Sequence, residues 1–407
     1  MYLLQTIPQY SRIIRRNLFA SSILPNQRTF ISTSSILYSS PSIATPATSP
    51  SSSLICYINN QYVPIQDAKI SVEDRGFLFS DGIYEVTKVY SAKSLGISKP
   101  YIFTEKEHLQ RMINGLEELQ FTKEHIDYIL TTVKTVSREL LQRNKLGIDN
   151  DAIIYIQITR GISSPRMHAY PNPTIVPPTI FISAKPFINP TKEILNTGVS
   201  AVTQLDTRWS RCNIKSIALL SNVIANQYAK LSHAYECLLL RKYQNFYAIV
   251  EASHSNVFAV YKKVSKKTVS NSSSSVSSSP KKSTSTTTTT TVSNPYNDYL
   301  LITHPLNKNI LPGITRFVIL QNAKKLGITV KEGLIRYADK DLIPIDNEKY
   351  KLQELFVTAT TTEIMPIIKI DQTYTVGNGK VGPITQALRN NWLQWVKDEY
   401  NTNNKKE

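Results

Sequence analysis

Lys215 interrupts the segment SRCNIKSIALLSNVIANQYAK (residues 210–230) just ahead of a strongly apolar stretch. There Ile217, Leu220, Ile224, Tyr228 and Leu231 recur at helical spacing, which predicts one buried face of a helix with the lysine at its edge. An amine held at an apolar surface has its charged form disfavoured and is nucleophilic near neutral pH. Alone, a lysine at a helix start is more often simply solvated. A second spot is PGITRFVILQNAKKLGI, where a helix opens after Pro312-Gly313 and the free N–H groups of Ile314 and Thr315 make an anion site. Arg111 on a predicted helix reads equally well as a solvent-facing residue. Arg166 and His168 form an Arg-x-His pair in the loop segment TRGISSPRMHAYP, a motif short enough to arise by chance.

The elements that must position these residues follow from pattern. ICYINNQYVPI reads as strand, Asn-Asn turn, strand. TEKEHLQRMINGLEEL opens with a capping box from Thr104 to Glu107 and puts Leu109, Met112, Leu116 and Leu119 on one helical face. Residues 122–143 predict a second helix through Ile126, Ile129, Leu130, Val133 and Leu140. AIIYIQITRG and PTIFISA are strands. KPFINPTKE (185–193), with two prolines, reads as a connection. Beyond it, strands are predicted at 198–204, 235–240, 246–251, 256–261, 299–303, 354–358 and 366–370, and helices at 216–231, 314–326 and 383–398. Residues 264–295, rich in Ser, Thr and Lys, bury too little apolar surface to fold and read as an expanded loop joining two neighbouring strands.

Composition bounds the function. With 407 residues, 41% hydrophobic and 19% charged, the chain can build two domains with packed cores. It contains no apolar run of membrane-spanning length, so no membrane association is expected. Cys56, Cys212 and Cys237 are too few and too scattered for a disulfide framework or a metal cluster, and reduced thiols fit better. The net charge of +17 suggests nucleic acid, but ten of those charges sit in residues 1–66 and 262–282, and no nucleic-acid motif accompanies them. Residues 1–53 combine an acid-free, Arg- and Ser-rich segment with a low-complexity spacer. That is the composition of a transit peptide, which predicts the mitochondrial matrix ahead of plastid or cytoplasm.

Six segments in order carry a resemblance: EDRGFLFSDGIYEVTKVY (73–90), RWSRCNIKS (208–216), VEASHSNVFAVY (250–261), ILPGITR (310–316), LFVTATTTEIMPI (355–367) and GKVGPITQAL (379–388). Together they resemble the fold-type IV pyridoxal-phosphate enzymes: D-amino-acid aminotransferases, branched-chain aminotransferases and aminodeoxychorismate lyases. The resemblance implies an α+β fold of two domains with the cofactor in the cleft between them. A small α+β domain would span 54–185, a linker 186–193, and a larger barrel-like β domain with helices 194–400, followed by a polar tail at 401–407.

It also implies roles. Lys215 matches the lysine that forms the internal aldimine with pyridoxal phosphate. Glu251, at the end of FYAIVE, matches the carboxylate that keeps the pyridine nitrogen protonated, as the cofactor's electron sink requires. Ile314, Thr315, Thr360 and Arg111 match the groups that hold the phosphate. Tyr84, Arg166 and His168 match the substrate-carboxylate site of D-amino-acid aminotransferases, where a guanidinium pairs with a carboxylate by two parallel hydrogen bonds. His254 stands where the family often has serine. The implied activity is transfer of an amino group from a D-amino acid such as D-alanine to a 2-oxo acid such as 2-oxoglutarate, by a homodimer. The alternatives are an aminodeoxychorismate lyase and a branched-chain aminotransferase.

Overall fold

A computed structural model of the chain describes residues 53–264, 294–338, 341–343 and 349–404. The segment read as a transit peptide and the body of the low-complexity insertion lie outside the described residues, and so does the end of the polar tail.

The first sheet is built from β1 (Ile55–Ile58), β2 (Gln61–Pro64), β3 (Gly82–Tyr90), β4 (Tyr101–Ile102), β5 (Ala152–Thr159) and β6 (Thr179–Pro186), ordered β2-β1-β6-β5-β3-β4. Asn59 and Asn60 both take positive φ (44° and 65°), the conformation a two-residue hairpin needs, so the Asn-Asn turn forms as expected. The helices of this half are α1 (Arg75–Phe79), α2 (Ala92–Leu95), α3 (Glu105–Glu118) and α4 (Lys123–Arg143). Met112, Leu116, Ile129, Val133 and Leu140 from α3 and α4 pack on Ile154, Ile158 and Ile182 of the sheet. One expected detail is absent: Thr104 makes no side-chain cap to α3. Its own φ is 51°, and its N–H donates to Glu399 Oε1 (2.8 Å). A long-range carboxylate takes the place of the local capping box.

The second sheet holds the remaining strands: β7 (Val199–Leu205), β8 (Glu236–Tyr243), β9 (Phe246–Ala252), β10 (Asn256–Lys263), β11 (Tyr299–Thr303), β12 (Thr329–Glu332), β13 (Ile335–Ala338), β14 (Asp341–Ile343), β15 (Tyr350–Ala359), β16 (Glu363–Ile370) and β17 (Tyr374–Thr375). Their order is β12-β11-β10-β15-β16-β7-β8-β9-β13-β14, with β17 on β16. Lys262 pairs with Tyr299, so the strands flanking the insertion are neighbours, as the sequence predicts. Only residues 253–255 join β9 to β10, yet four strands separate the two in the sheet. Laid flat, that separation is about 24 Å at the usual strand spacing, whereas the link spans at most about 14 Å. The sheet must therefore curl until β9 and β10 meet. The result is an α+β fold with a small sheet and a larger, barrel-like one.

The helices of the second half are α5 (Lys192–Thr197), α6 (Leu220–Leu231), α7 (Ile314–Lys325), α8 (Pro383–Asn390) and α9 (Trp392–Asn404). The single helix predicted over 383–398 is thus two. The helix predicted over 216–231 starts at Leu220 and buries Ala225 and Ala229 rather than the large apolar residues. Leu220, Val223, Ile224, Tyr228 and Leu231 are 41–73% exposed. Helical spacing identified an apolar face but not what it faces.

Candidate active site

Lys215 lies in a tight turn closed by Ser216 N–H donating to the Ile214 carbonyl (2.8 Å), five residues ahead of α6 and not on the helix. Tyr84 N–H donates to the Lys215 carbonyl (3.0 Å), and Ser216 forms a β-bridge with Ile83, so the segment is clamped to the start of β3. This puts the amine 4.2 Å from the centre of the Tyr84 ring. Burial and then the nearby Arg111 charge bring its pKa down to about 8, against the opposing pull of Glu85 and Glu251. Burial pushes the Tyr84 hydroxyl up to about 12, so that group stays protonated.

A cleft of about 490 Å³ opens around this amine. Its walls include Tyr84, Lys215, Glu251, His254, Arg208 and Leu311, residues contributed by both sheets and their connections. Glu251, next to last in β9, is buried. Its Oε1 accepts from Asn256 Nδ2 (2.8 Å) and from the Leu311 N–H (3.0 Å), and its Oε2 accepts from Arg208. Burial pushes its carboxyl up, while Arg208 and the Leu311 N–H pull the other way. Arg208 is in turn held by Asp206 (two contacts of 3.0 Å) and by the Asn309 carbonyl (3.0 Å).

The anion-binding end is assembled separately. Gly313 caps α7 without a side-chain acceptor, which leaves the first-turn N–H groups of Ile314 and Thr315 without a side-chain cap. A Cβ on Gly313 would meet Asn256 Oδ1 at 1.9 Å, so this position requires glycine for space. Asn256 Nδ2 also donates to the Leu311 carbonyl (3.1 Å) and thereby ties the α7 start to Glu251. Arg111 is buried, not solvent-facing. Its Nη1 donates to the Pro312 carbonyl (3.1 Å) just before α7, while its fork is engaged by Glu85 (2.9 and 2.6 Å). Burial alone would raise the Glu85 carboxyl, but Arg111 and His108 overturn this and hold it well below the usual range. An unpaired guanidinium buried this deeply would be costly, which explains why the fork is filled from within. Thr360 sits in the turn after β15, two residues past Thr358, which stands opposite Asn256 in the sheet.

The structure therefore brings Lys215, Glu251 and Tyr84 into one cleft, with Arg111, Ile314 and Thr315 at the adjoining start of α7. It does not bring Arg166 or His168 there. Both are exposed on the loop between β5 and β6, where Arg166 stacks over Phe79 (4.1 Å) and His168 lies 5.1 Å from the same ring. The buried Arg75 pins the loop by donating to the carbonyls of Met167 (2.6 Å) and His168 (3.2 Å). Sequence reasoning missed Glu85, Arg208 and Asn256. One signal was available for Glu85: it alternates in phase with Ile83 and Thr87, the inward residues of β3.

The family model for class IV amino-transferases matches residues 82–370, and the chain belongs to that family. D-alanine aminotransferase of Staphylococcus haemolyticus is 33% identical over 340 residues, covering 84% of this chain and 97% of the relative. D-alanine aminotransferase of Listeria innocua is 32% identical over 339 residues, covering 83% and 95%. Among solved structures, the branched-chain amino acid aminotransferase of Escherichia coli superposes with a TM-score of 0.60 at 22% identity, covering 86% of this chain and 96% of that one. The enzyme from Thermoproteus uzoniensis, solved with norvaline, gives 0.60 at 21%, covering 85% and 96%. At that identity the likeness speaks for the fold.

The chain is thus a pyridoxal-phosphate-dependent aminotransferase, and its residues fit the cofactor. A primary amine lies at the cleft with its pKa lowered, a helix start lacks a side-chain cap, and an enclosed carboxylate faces the cleft.

Proposed function

We propose that this protein is a D-amino-acid transaminase, moving the amino group of a D-amino acid such as D-alanine to a 2-oxo acid such as 2-oxoglutarate. The observation that carries the reading is Lys215: a clamped, partly buried amine with its pKa brought to about 8 beside a buried carboxylate. Pyridoxal phosphate, when bound, supplies the sink for electrons released at a substrate α-carbon. The Lys215 amine, neutral in a large fraction near pH 8, takes and returns the proton at that carbon. Glu251, fixed by Arg208, Asn256 and the Leu311 N–H, would be the partner of the ring nitrogen. The first N–H groups of α7, the Arg111 charge and the Thr360 hydroxyl would hold the phosphate. Kinship with D-alanine aminotransferases at about one-third identity supports the D-substrate.

The Arg166–His168 loop does not line its own cleft, so its role as a substrate-carboxylate clamp requires a second copy of the chain. The exposed apolar face of α6, beside the same cleft, supports a homodimer. The composition of residues 1–53 supports delivery to the mitochondrial matrix.

A side-by-side assay tests the substrate reading. With 2-oxoglutarate as acceptor, D-alanine is expected to turn over at least tenfold faster than L-leucine, and aminodeoxychorismate is expected to yield no pyruvate. Preference for L-leucine, or pyruvate release from aminodeoxychorismate, would overturn it.

A further inference from the structure

His254 is an ionisable group of the cleft that the chemistry above leaves unused, and it rests on a buried carboxylate. Glu236, at the start of β8, is fully enclosed. Its Oε1 accepts from the Cys237 N–H (3.0 Å), the Ser253 N–H (3.1 Å) and the Ser253 hydroxyl. Its Oε2 accepts from the Ser255 hydroxyl (2.8 Å), and His254 Nδ1 lies 3.0 Å from the same oxygen. Such a set of donors stabilises the ionised carboxylate. With Nδ1–H turned to Glu236, the other ring nitrogen is left for a second partner. Among the described residues Nε2 has no partner, and the side chain is 45% exposed at the cleft wall.

The charged groups acting on this imidazole are Glu236 and Lys215. Burial and Lys215 disfavour the imidazolium, but Glu236 outweighs them and raises its pKa. The other cations lining the cleft are committed: Arg208 to Asp206 and Glu251, Lys215 to the reaction. Much of the remaining wall is apolar, including Ile214, Ala218, Leu219, Val223, Ala252 and Leu311.

We propose that His254, seated on Glu236, is the specificity group for dicarboxylic substrates: its free Nε2–H donates to the distal carboxylate of an acidic amino acid or 2-oxo acid. The proposal rests on the transaminase reading of the cleft. A polar group placed this way favours the substrate that satisfies it over the analogue that leaves it unpaired. Only the imidazolium carries a proton on Nε2 while Nδ1–H stays on Glu236, so recognition weakens as pH rises through the His254 pKa.

The test compares 2-oxoglutarate with 2-oxobutyrate as acceptors from D-alanine, using holoenzyme and the variants His254→Gln and Glu236→Gln. His254→Gln is expected to raise KM for 2-oxoglutarate about tenfold while leaving kcat and the KM for 2-oxobutyrate within about twofold. In the wild type the ratio of the two KM values should climb with pH. His254→Gln should flatten that climb, and Glu236→Gln should move it to lower pH. Calorimetry supplies a readout independent of turnover: glutarate, but not butyrate, should bind about tenfold more weakly to His254→Gln. Equal changes for the two acids would overturn the proposal. If neither oxo acid is aminated, the transaminase reading falls, and glutarate binding alone decides the role of His254.

Discussion

Lys215 feels opposing fields. Burial and Arg111 favour the neutral amine, while Glu85 and Glu251 favour the ammonium, and the first pair wins by enough to bring the pKa to about 8. A group whose pKa is lowered is neutral, and nucleophilic, at every pH above the new value. The rate at which cofactor-free protein takes up pyridoxal phosphate at Lys215, trapped with borohydride and read by mass spectrometry, should therefore rise with pH with a midpoint near 8. A midpoint above 10, the range of an ordinary lysine, would show that the amine is solvated. The reactive lysine was legible because its flanking motif is local in sequence. Glu85 and Arg208 were not, because each acquires its role from a partner far along the chain: Arg111 lies 26 residues from Glu85, and Glu251 lies 43 from Arg208. No periodicity encodes such a pairing.

At the scale of elements, the start of α7 is the joint on which the site depends. Asn256 touches Glu251, the Leu311 carbonyl and the space under Gly313 at once. Gly313→Ala places a methyl group 1.9 Å from Asn256 Oδ1, so the amide must move, and the Glu251 contact and the helix start move with it. The cost of such overpacking is about 1–3 kcal/mol. Gly313→Ala should lower the melting temperature and release cofactor at least tenfold more readily on dialysis, whereas Lys324→Ala, in the last turn of the same helix, should do neither. Normal retention by Gly313→Ala would remove α7 from the site. The α7 boundaries were readable because Pro312-Gly313 stops the preceding segment and Gly327 follows the end. The Thr104 capping box and the unbroken C-terminal helix were misread for a related reason. Glu399 reaches Thr104 across nearly three hundred residues, and no local breaker in the sequence marks Asn391, where α8 ends and α9 follows.

Among the described residues, two features lie exposed: the apolar face of α6, and the loop that carries Arg166 and His168, which is anchored by Arg75 and Phe79 but stands away from the cleft of its own chain. Helical periodicity could not say whether that face meets its own core or another copy, because both demand the same residues. The proposed dimer would join the two features, since a symmetric pair that buried the α6 faces could also supply each cleft with the neighbour's loop. Lys215→Ala and Arg166→Ala should each be inactive as pure proteins, the first because every cleft lacks its amine, the second because every cleft lacks the guanidinium its neighbour would lend. Co-expressed in equal amounts, half of the dimers would be mixed, and each mixed dimer would hold one cleft with an intact Lys215 and an intact neighbouring Arg166. Activity should then return to about one quarter of the wild-type level per chain. Adding Ile224→Glu to both chains, which sets carboxylates against each other or against the apolar face, should abolish that rescue while the Lys215 chain still takes up cofactor. If mixing restores nothing although mixed dimers form, the Arg166 loop acts on its own chain or not at all, and the clamp must be sought among the residues that line the cleft directly.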